Sequence, residues 1–328
     1  MKILVTGANG FIGGALVERI LASNGVGDGG STLNQLTLSD ARFDQASSDP
    51  RVCQVPGDLA DPDVLSRALG NGPDCIFHLA AVPGGAAEAD YDLGKRVNID
   101  ATMRLIDGVR NKPNRPRLVV CSSIAVFGPP LPAIVDDDTP PSPALSYGAQ
   151  KLMMEIYLSD LARRGEVDAR CVRLPGILAR PHQAGGHISA YMSNIFHAVA
   201  AGEQFVCPVS KSAVAWFMSV TCVVEDLLHA ARIDPSALRG ARIWTLPALH
   251  LTMGELAAAI GSATVRDSEA LVRYEPNEAI ESQFGRYPPL RTPLADKLGF
   301  RHDGSAASMV RNALHHAGIK TTKPSKGS

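Results

Sequence analysis

No basic excess runs through this chain of 328 residues. Its 32 Lys and Arg are balanced by 33 Asp and Glu, leaving a net charge of −1, and no Lys/Arg stripe is clustered anywhere. That balance argues against a nucleic-acid or membrane-surface partner, which normally demands positive charge. Long apolar runs are also missing. None approaches the roughly 20 residues needed to span a bilayer. The six cysteines (Cys53, Cys75, Cys121, Cys171, Cys207, Cys222) are scattered, with no C-x-x-C and no Cys/His pair at zinc spacing. No metal site is therefore expected. Reduced, mostly buried thiols in a cytoplasmic protein are the expectation. The chain opens directly on an apolar strand, so no signal peptide is expected. The polar tail 321–328 is expected to be disordered.

What is present begins at the first residue. Lys2–Thr6 is a short apolar run, and Gly7, Gly10 and Gly13 follow at G-x-x-G-x-x-G spacing. Phe11, Ile12, Leu16, Val17, Ile20 and Leu21 then repeat at helical intervals. Strand, glycine turn and helix together cradle a pyrophosphate: the turn lets the backbone approach the phosphates, and free N–H groups of the helix start bind their charge. The bland alternative is an ordinary glycine-rich turn. Gln35–Ser39 reads as a second strand ending at Asp40, whose carboxylate can accept from both adenosine ribose hydroxyls and would repel a 2′-phosphate. Asp40 thus favours NAD over NADP, while Arg42 keeps a 2′-phosphate in play. Asp40 could equally be a turn cap.

Further along, Val52–Val55 reads as a strand, followed by Gly57-Asp58-Leu59. Asp58 falls where the adenine edge would lie, or it caps the helix Asp61–Leu69. Cys75–Leu79 reads as a strand running into Ala80 and Ala81, small residues that let the chain pass close to the pyrophosphate. His78 within it reads as a packed histidine. Pro83–Ala89 reads as a flexible loop at the ligand-binding edge of the sheet. Tyr91–Val109 has helical spacing, with Asn98 placed to tie two strands together or to hold a water. Arg117–Ser122 is the next strand, with Ser123 at its carboxyl end. A proline-rich loop leads to Tyr147, and a helix continues through Ala149–Arg163.

Tyr147 and Lys151 are four residues apart, so they share one helix face. A tyrosine acting as a base needs its pKa of about 10 brought toward neutrality. A lysine ammonium one turn away favours the phenolate, as does an oxidised nicotinamide. Ser123 can hold the substrate oxygen while Tyr147 takes the proton. Taken alone, Y-x-x-x-K is common and fits a surface Tyr beside an incidental Lys.

In this order the motifs resemble the extended short-chain dehydrogenase/reductase family, which includes nucleotide-sugar epimerases and dehydratases. The matching stretches are TGANGFIG (Thr6–Gly13), GDL (Gly57–Leu59), HLAA (His78–Ala81), VNIDAT (Val97–Thr102), CSSIAVFG (Cys121–Gly128) and YGAQK (Tyr147–Lys151). The resemblance implies catalytic roles for Ser123, Tyr147 and Lys151. It implies cofactor contacts from Gly7, Gly10, Phe11, Ile12 and Gly13, from Asp40, Asp58 and Leu59, and from Leu79, Ala80, Ala81, Asn98 and Pro175, besides Tyr147 and Lys151. The implied fold is α/β, a doubly wound parallel Rossmann sheet with a smaller, discontinuous α/β substrate domain. Residues 1–174 would form the cofactor domain, with a return near 217–247. The segments 175–216 and 248–320 would form the other. A homodimer through a four-helix bundle of Tyr91–Val109 and Tyr147–Arg163 is also implied.

The second half bears on substrate. Nucleotide-sugar epimerases usually carry an arginine where this chain reads Ala213–Val220, AVAWFMSV. Segments such as AGEQFVCPV (Ala201–Val209), with Trp216 beyond it, resemble instead the D-erythronate dehydrogenase group, whose members oxidise a four-carbon sugar acid at C2 with NAD. A substrate carboxylate needs a cation, and Arg180 is the first candidate, backed by His182, His187 and Lys211. Arg180 could instead form a structural ion pair. Trp216 could wall the nicotinamide or simply pack in the core. Loops Val82–Ala86 and His182–Ser189 depart from the group's pattern. A nucleotide-sugar epimerase or dehydratase, and a non-catalytic NAD-binding protein, are the competing expectations.

Overall fold

The computed structural model describes residues 1–27, 32–181, 188–238, 240 and 242–319. The tail 321–328 and the histidines His182 and His187 lie outside the described residues. Seven strands build the central sheet: β1 (Lys2–Thr6), β2 (Gln35–Asp40), β3 (Val52–Pro56), β4 (Cys75–His78), β5 (Arg117–Ser123), β6 (Asp168–Leu174) and, later in the chain, β10 (Ile243–Thr245). All pair in parallel, in the order β10-β6-β5-β4-β1-β2-β3. The order reverses beside β1, between β2 and β4, which is where a doubly wound sheet opens a crevice for its ligand.

Parallel strands are covered on both faces, so they read as unbroken apolar runs. Ile3, Leu4 and Val5 are each at most 1% exposed. One face packs against α1 (Phe11–Ser23) and α8 (Val220–Arg232) through Leu16, Ile20, Val223 and Leu227. The other packs against α2 (Pro62–Leu69), α5 (Thr102–Val109) and α6 (Ser146–Arg163) through Val64, Leu105 and Leu158. A second core gathers α7 (Tyr191–Ala201) and α9 (Met253–Thr264) around two small sheets. These join β7 (Gly176–Ile177), β9 (Val214–Met218) and β11 (Leu249–Thr252), and β8 (Phe205–Cys207) with β12 (Val272–Tyr274). The chain re-enters the large sheet through α8 and β10.

Several local expectations are corrected. Pro83–Ala89 is not a loop: α3 (Gly84–Ala89) is helical, because Ala-Ala-Glu-Ala favours helix strongly enough to carry the two leading glycines. The N-cap of α2 is Asp61, which accepts from the Asp63 N–H, and not Asp58. The Tyr91–Val109 stretch is helical but interrupted. It runs as α4 (Tyr91–Lys95), a π-turn over Arg96–Ala101, then α5. Helix α6 begins at Ser146, so Tyr147 lies in its first turn. Strand β4 ends at His78, one residue short of Leu79. Cys53 and Cys222 are only partly buried, and all six cysteines are free. Among the described residues, no helix is long and apolar enough to cross a membrane, and no cluster of His, Cys, Asp or Glu is placed to hold a metal.

Candidate active site

At the carboxyl edge of the sheet lies a cavity of about 340 Å³. Gly7, Gly10, Phe11, Ile12 and Gly13 form its floor, with Leu79 and Ala81 beside them. Gly7 adopts φ +70°, and a Cβ there would sit 2.6 Å from the Ala80 nitrogen. Only glycine lets the turn close against the strand after β4. No side chain caps α1: its N-cap Gly10 offers none, and the first helical turn lines the cavity. Uncapped N–H groups beside a glycine floor fit a dinucleotide's diphosphate. Asp40 ends β2 next to this turn, and its Oδ2 accepts from the Asn9 N–H at 2.9 Å. The second oxygen accepts from Ala41 at 2.7 Å.

Ser123, Tyr147, Lys151 and Pro175 line the opposite side of the same cavity. Ser123 terminates β5, and its Oγ accepts from the Ala125 N–H at 3.1 Å. With that lone pair engaged, its O–H is free to donate elsewhere. Gly148 makes the pairing of strand and helix possible, since a Cβ there would fall 2.0 Å from the Ala125 carbonyl oxygen. Helix α6 is thereby drawn against the turn after Ser123. Lys151 is buried, its Nζ donates to the Cys121 carbonyl at 2.9 Å, and it lies 5.6 Å from the centre of the Tyr147 ring.

One helical turn beyond Lys151 is a group the sequence reading passed over. Glu155, 1% exposed, accepts from Ser122 Oγ and from Arg173 Nε at 2.9 Å and Nη2 at 2.7 Å. Arg173 also stacks over Phe127, 5.0 Å from the ring centre. The network ties α6 to β5 and β6 directly beneath Ser123 and Tyr147. The signal in the sequence is the four-residue step Tyr147, Lys151, Glu155, together with Arg173 in the middle of an apolar strand, where a charge needs a partner.

Other expected contacts lie further off. Asn98 ties a loop to a helix instead of two strands: its side chain holds both backbone groups of Val82 and donates to Gln150 Oε1 at 2.7 Å. Asp58 pairs with Arg96 at 2.7 Å and accepts from Ala60. Neither these residues nor Leu59 and Ala80 line the cavity. His78 is packed between Thr6 and Thr102 at 2.7 and 2.8 Å, and burial pushes its pKa down to about 3.

A second cavity of about 170 Å³ adjoins the first and shares Ser123, Tyr147, Pro175 and Arg180 with it. Its far wall is apolar, formed by Ala215, Trp216, Phe284 and Tyr287. Trp216 is fully buried here, not set on the glycine-turn cavity, because its indole N–H finds an acceptor in the Pro288 carbonyl at 2.7 Å. Arg180 is exposed and has no carboxylate partner among the described residues. The protein around its guanidinium draws the pKa down, and an ionised Tyr147 pulls the other way. Its fellow candidate Lys211 is engaged, pairing with Glu269 at 2.7 Å.

A dinucleotide cradle joined to a Ser, Tyr and Lys set defines the class. The sequence pattern of the NAD dependent epimerase/dehydratase family matches residues 3–232, and the chain belongs to that family. It is an oxidoreductase. More particularly, it is 36% identical over 322 residues to a D-erythronate dehydrogenase of Cupriavidus necator, covering 97% of this chain and 99% of that one. It is 32% identical to a D-erythronate dehydrogenase of Haemophilus influenzae, covering 96% and 99%. Among solved structures it resembles a nucleoside-diphosphate-sugar epimerase from Agrobacterium tumefaciens, with a TM-score of 0.90 and 34% identity over 98% of this chain and 95% of that one.

Proposed function

We propose that this protein is an NAD-dependent dehydrogenase of a short sugar acid, oxidising D-erythronate or a close aldonate at C2. The observation that carries this reading is Arg180. Arg180, without a carboxylate partner among the described residues, lines the cavities that Ser123 and Tyr147 also line. A 2-hydroxy acid places a carboxylate one bond from its reacting carbon, so Arg180 and Tyr147 serve adjacent substrate groups. The identities to two D-erythronate dehydrogenases support the same substrate class.

When bound, NAD supplies the hydride acceptor. The glycine turn and the first turn of α1 would hold its diphosphate, Asp40 its adenosine ribose and Lys151 its nicotinamide ribose. Asp40 favours NAD over NADP because a 2′-phosphate would meet a carboxylate. Ser123 donates to the substrate oxygen as negative charge develops there. Tyr147 takes the hydroxyl proton, and the Lys151 ammonium stabilises the phenolate that does so. In this division of labour, residues 1–174 and 217–247 serve the cofactor, and 175–216 and 248–320 the substrate.

A nucleotide-sugar epimerase is the second reading, supported by the Agrobacterium structure. Against it, Ala213–Val220 carries no arginine, and β9 within it is almost wholly buried. NADH formation, followed at 340 nm with a panel of C4–C6 aldonates, decides between them. Turnover of D-erythronate with NAD in preference to NADP is the expected result. Silence toward every acid, with turnover of nucleotide sugars, would replace the first reading by the second. The six free cysteines fit a reducing, cytoplasmic setting. Tyr91 and Leu93 on α4, with Met153 and Ile156 on α6, are exposed apolar side chains on the two helical stretches expected to pair in a homodimer. Sedimentation should give a dimer, reduced to monomer by Ile156→Glu.

A further inference from the structure

Tyr287 has no part in the chemistry outlined above and no motif marks it. It lines the second cavity but not the first, whereas Ser123, Tyr147 and Arg180 line both. It therefore stands on the side of the substrate compartment away from the glycine turn. Its backbone is fixed at both ends: the N–H donates to the Val214 carbonyl at 3.2 Å, and the carbonyl accepts from His250 Nε2 at 2.8 Å. Its ring lies 4.7 Å from that of Trp216, whose own N–H is satisfied by Pro288. The ring is thus held in place from several directions.

The phenol is not similarly satisfied. Among the described residues no group donates to or accepts from the Tyr287 hydroxyl, and yet it is not one of the buried polar atoms left without a partner. The residue as a whole keeps accessible surface, while the protein around its phenol is dense enough to push the pKa up to about 12. Tyr287 is part of the lining of the second cavity. At any working pH it remains a neutral O–H, able to donate to a hydroxyl or accept from one. Around it, Trp216, Phe284 and Ala215 are apolar. Glu88 and Ser189 also line this cavity, but on the wall that Tyr287 shares with Trp216, Phe284 and Ala215 its hydroxyl is the polar group, and a polar group set among apolar ones fixes orientation and selects for a polar partner.

We propose that Tyr287 is the specificity-determining residue for the substrate's tail: its hydroxyl hydrogen-bonds a tail hydroxyl of the sugar acid, and so selects polyhydroxy acids over 2-hydroxy acids with alkyl tails. The assignment rests on the sugar-acid reading. With the reacting hydroxyl at Ser123 and Tyr147 and the carboxylate at Arg180, the remaining carbons extend into the compartment that Tyr287 closes.

The test compares D-erythronate with 2-hydroxybutyrate, of equal carbon number but without tail hydroxyls, for the wild type and for Tyr287→Phe. The variant keeps the ring against Trp216 and removes one oxygen. A neutral hydrogen bond lost here corresponds to roughly 3- to 10-fold in kcat/KM, expected chiefly in KM, for D-erythronate. For 2-hydroxybutyrate the same substitution should change kcat/KM by less than about 2-fold. The ratio between the two acids within one variant is insensitive to the fraction of folded enzyme. An equal loss for both acids, or no loss for either, overturns the assignment of Tyr287 and leaves the sugar-acid reading intact. A wild-type enzyme that oxidises neither acid nor any other aldonate overturns both.

Discussion

The two sides of the active-site cleft satisfy their polar groups differently. On the sheet side, the buried titratable side chains beneath the site are already partnered: Lys151 to a carbonyl, Glu155 to Ser122 and Arg173, His78 to two threonines. On the substrate side, Arg180 and the Tyr287 hydroxyl have no such side-chain partners among the described residues. Burial explains the contrast. A charge without water must be paired by the protein or it costs several kcal/mol. A charge that opens onto a cavity keeps water until a ligand displaces it. Substitutions on the sheet side should therefore be read in stability, and those on the substrate side in KM and selectivity.

Tyr147 stands on the border and gives the largest expected effect. Tyr147→Phe should lower kcat by about 10²–10⁴, the usual range for a lost general base. NAD affinity, measured by fluorescence titration, should stay within a few-fold. Retained turnover would remove Tyr147 from the chemistry and leave the border undefined.

Next comes Glu155→Ala, which strands Arg173 in a site where the glutamate is 1% exposed. Removing one member of a buried pair costs about 3–5 kcal/mol, seen as a lower urea midpoint. A variant as stable as wild type but catalytically impaired would place Glu155 on the functional side of the contrast. Arg180→Met should do the opposite, leaving the urea midpoint unchanged while kcat/KM falls roughly 10- to 100-fold, the cost of losing a hydrogen bond to a charged group. A destabilised Arg180→Met would instead assign the guanidinium a structural pairing.

The smallest effect concerns pH, where two buried groups act with opposite signs. His78 stays neutral in the folded protein down to about pH 3, against an ordinary value of 6.5, because burial disfavours its charge. Between those values the unfolded chain binds the extra proton, so His78 makes stability rise with pH. Asp226 on α8 is pushed by burial from 3.8 up to about 7, opposed by the Arg301 N–H it accepts at 3.1 Å. Between those values the folded chain holds the extra proton, so Asp226 makes stability fall as pH rises. The contributions oppose one another from about pH 4 to 6.5. Asp226→Asn should unmask a stability that climbs with pH across this window, whereas His78→Asn should unmask one that declines. Identical pH profiles in both variants would count against this account.

How far the sequence could be read follows the same boundary. Local patterns carried the sheet side: glycine spacing foretold the turn between β1 and α1, and the step from Tyr147 to Lys151 foretold a shared helix face. His78 sits in its strand as a packed residue, as its position indicated. Where competing local signals met, reading failed: two glycines hid the helix Gly84–Ala89, and Asp58 drew attention from the true cap at Asp61. The substrate side was illegible for a different reason. Tyr287 reaches its cavity through β9 and the loop beyond Phe284, contacts between segments far apart in the chain that no local period reports. Arg180 was found only by its chemistry, and that no carboxylate among the described residues pairs with it had to be seen in three dimensions.

The anchoring of Lys151 has a consequence for how this site can change over time. Its ammonium is held by the Cys121 carbonyl, a main-chain atom that every amino acid supplies. The thiol at that position takes no part in the anchor, and with burial pushing its pKa up to about 12 it is a poor target for oxidants. Mutational drift at residue 121 can alter packing, but it cannot delete the acceptor. The lysine's orientation is thereby insured against the commonest kind of genetic damage, the exchange of one side chain for another.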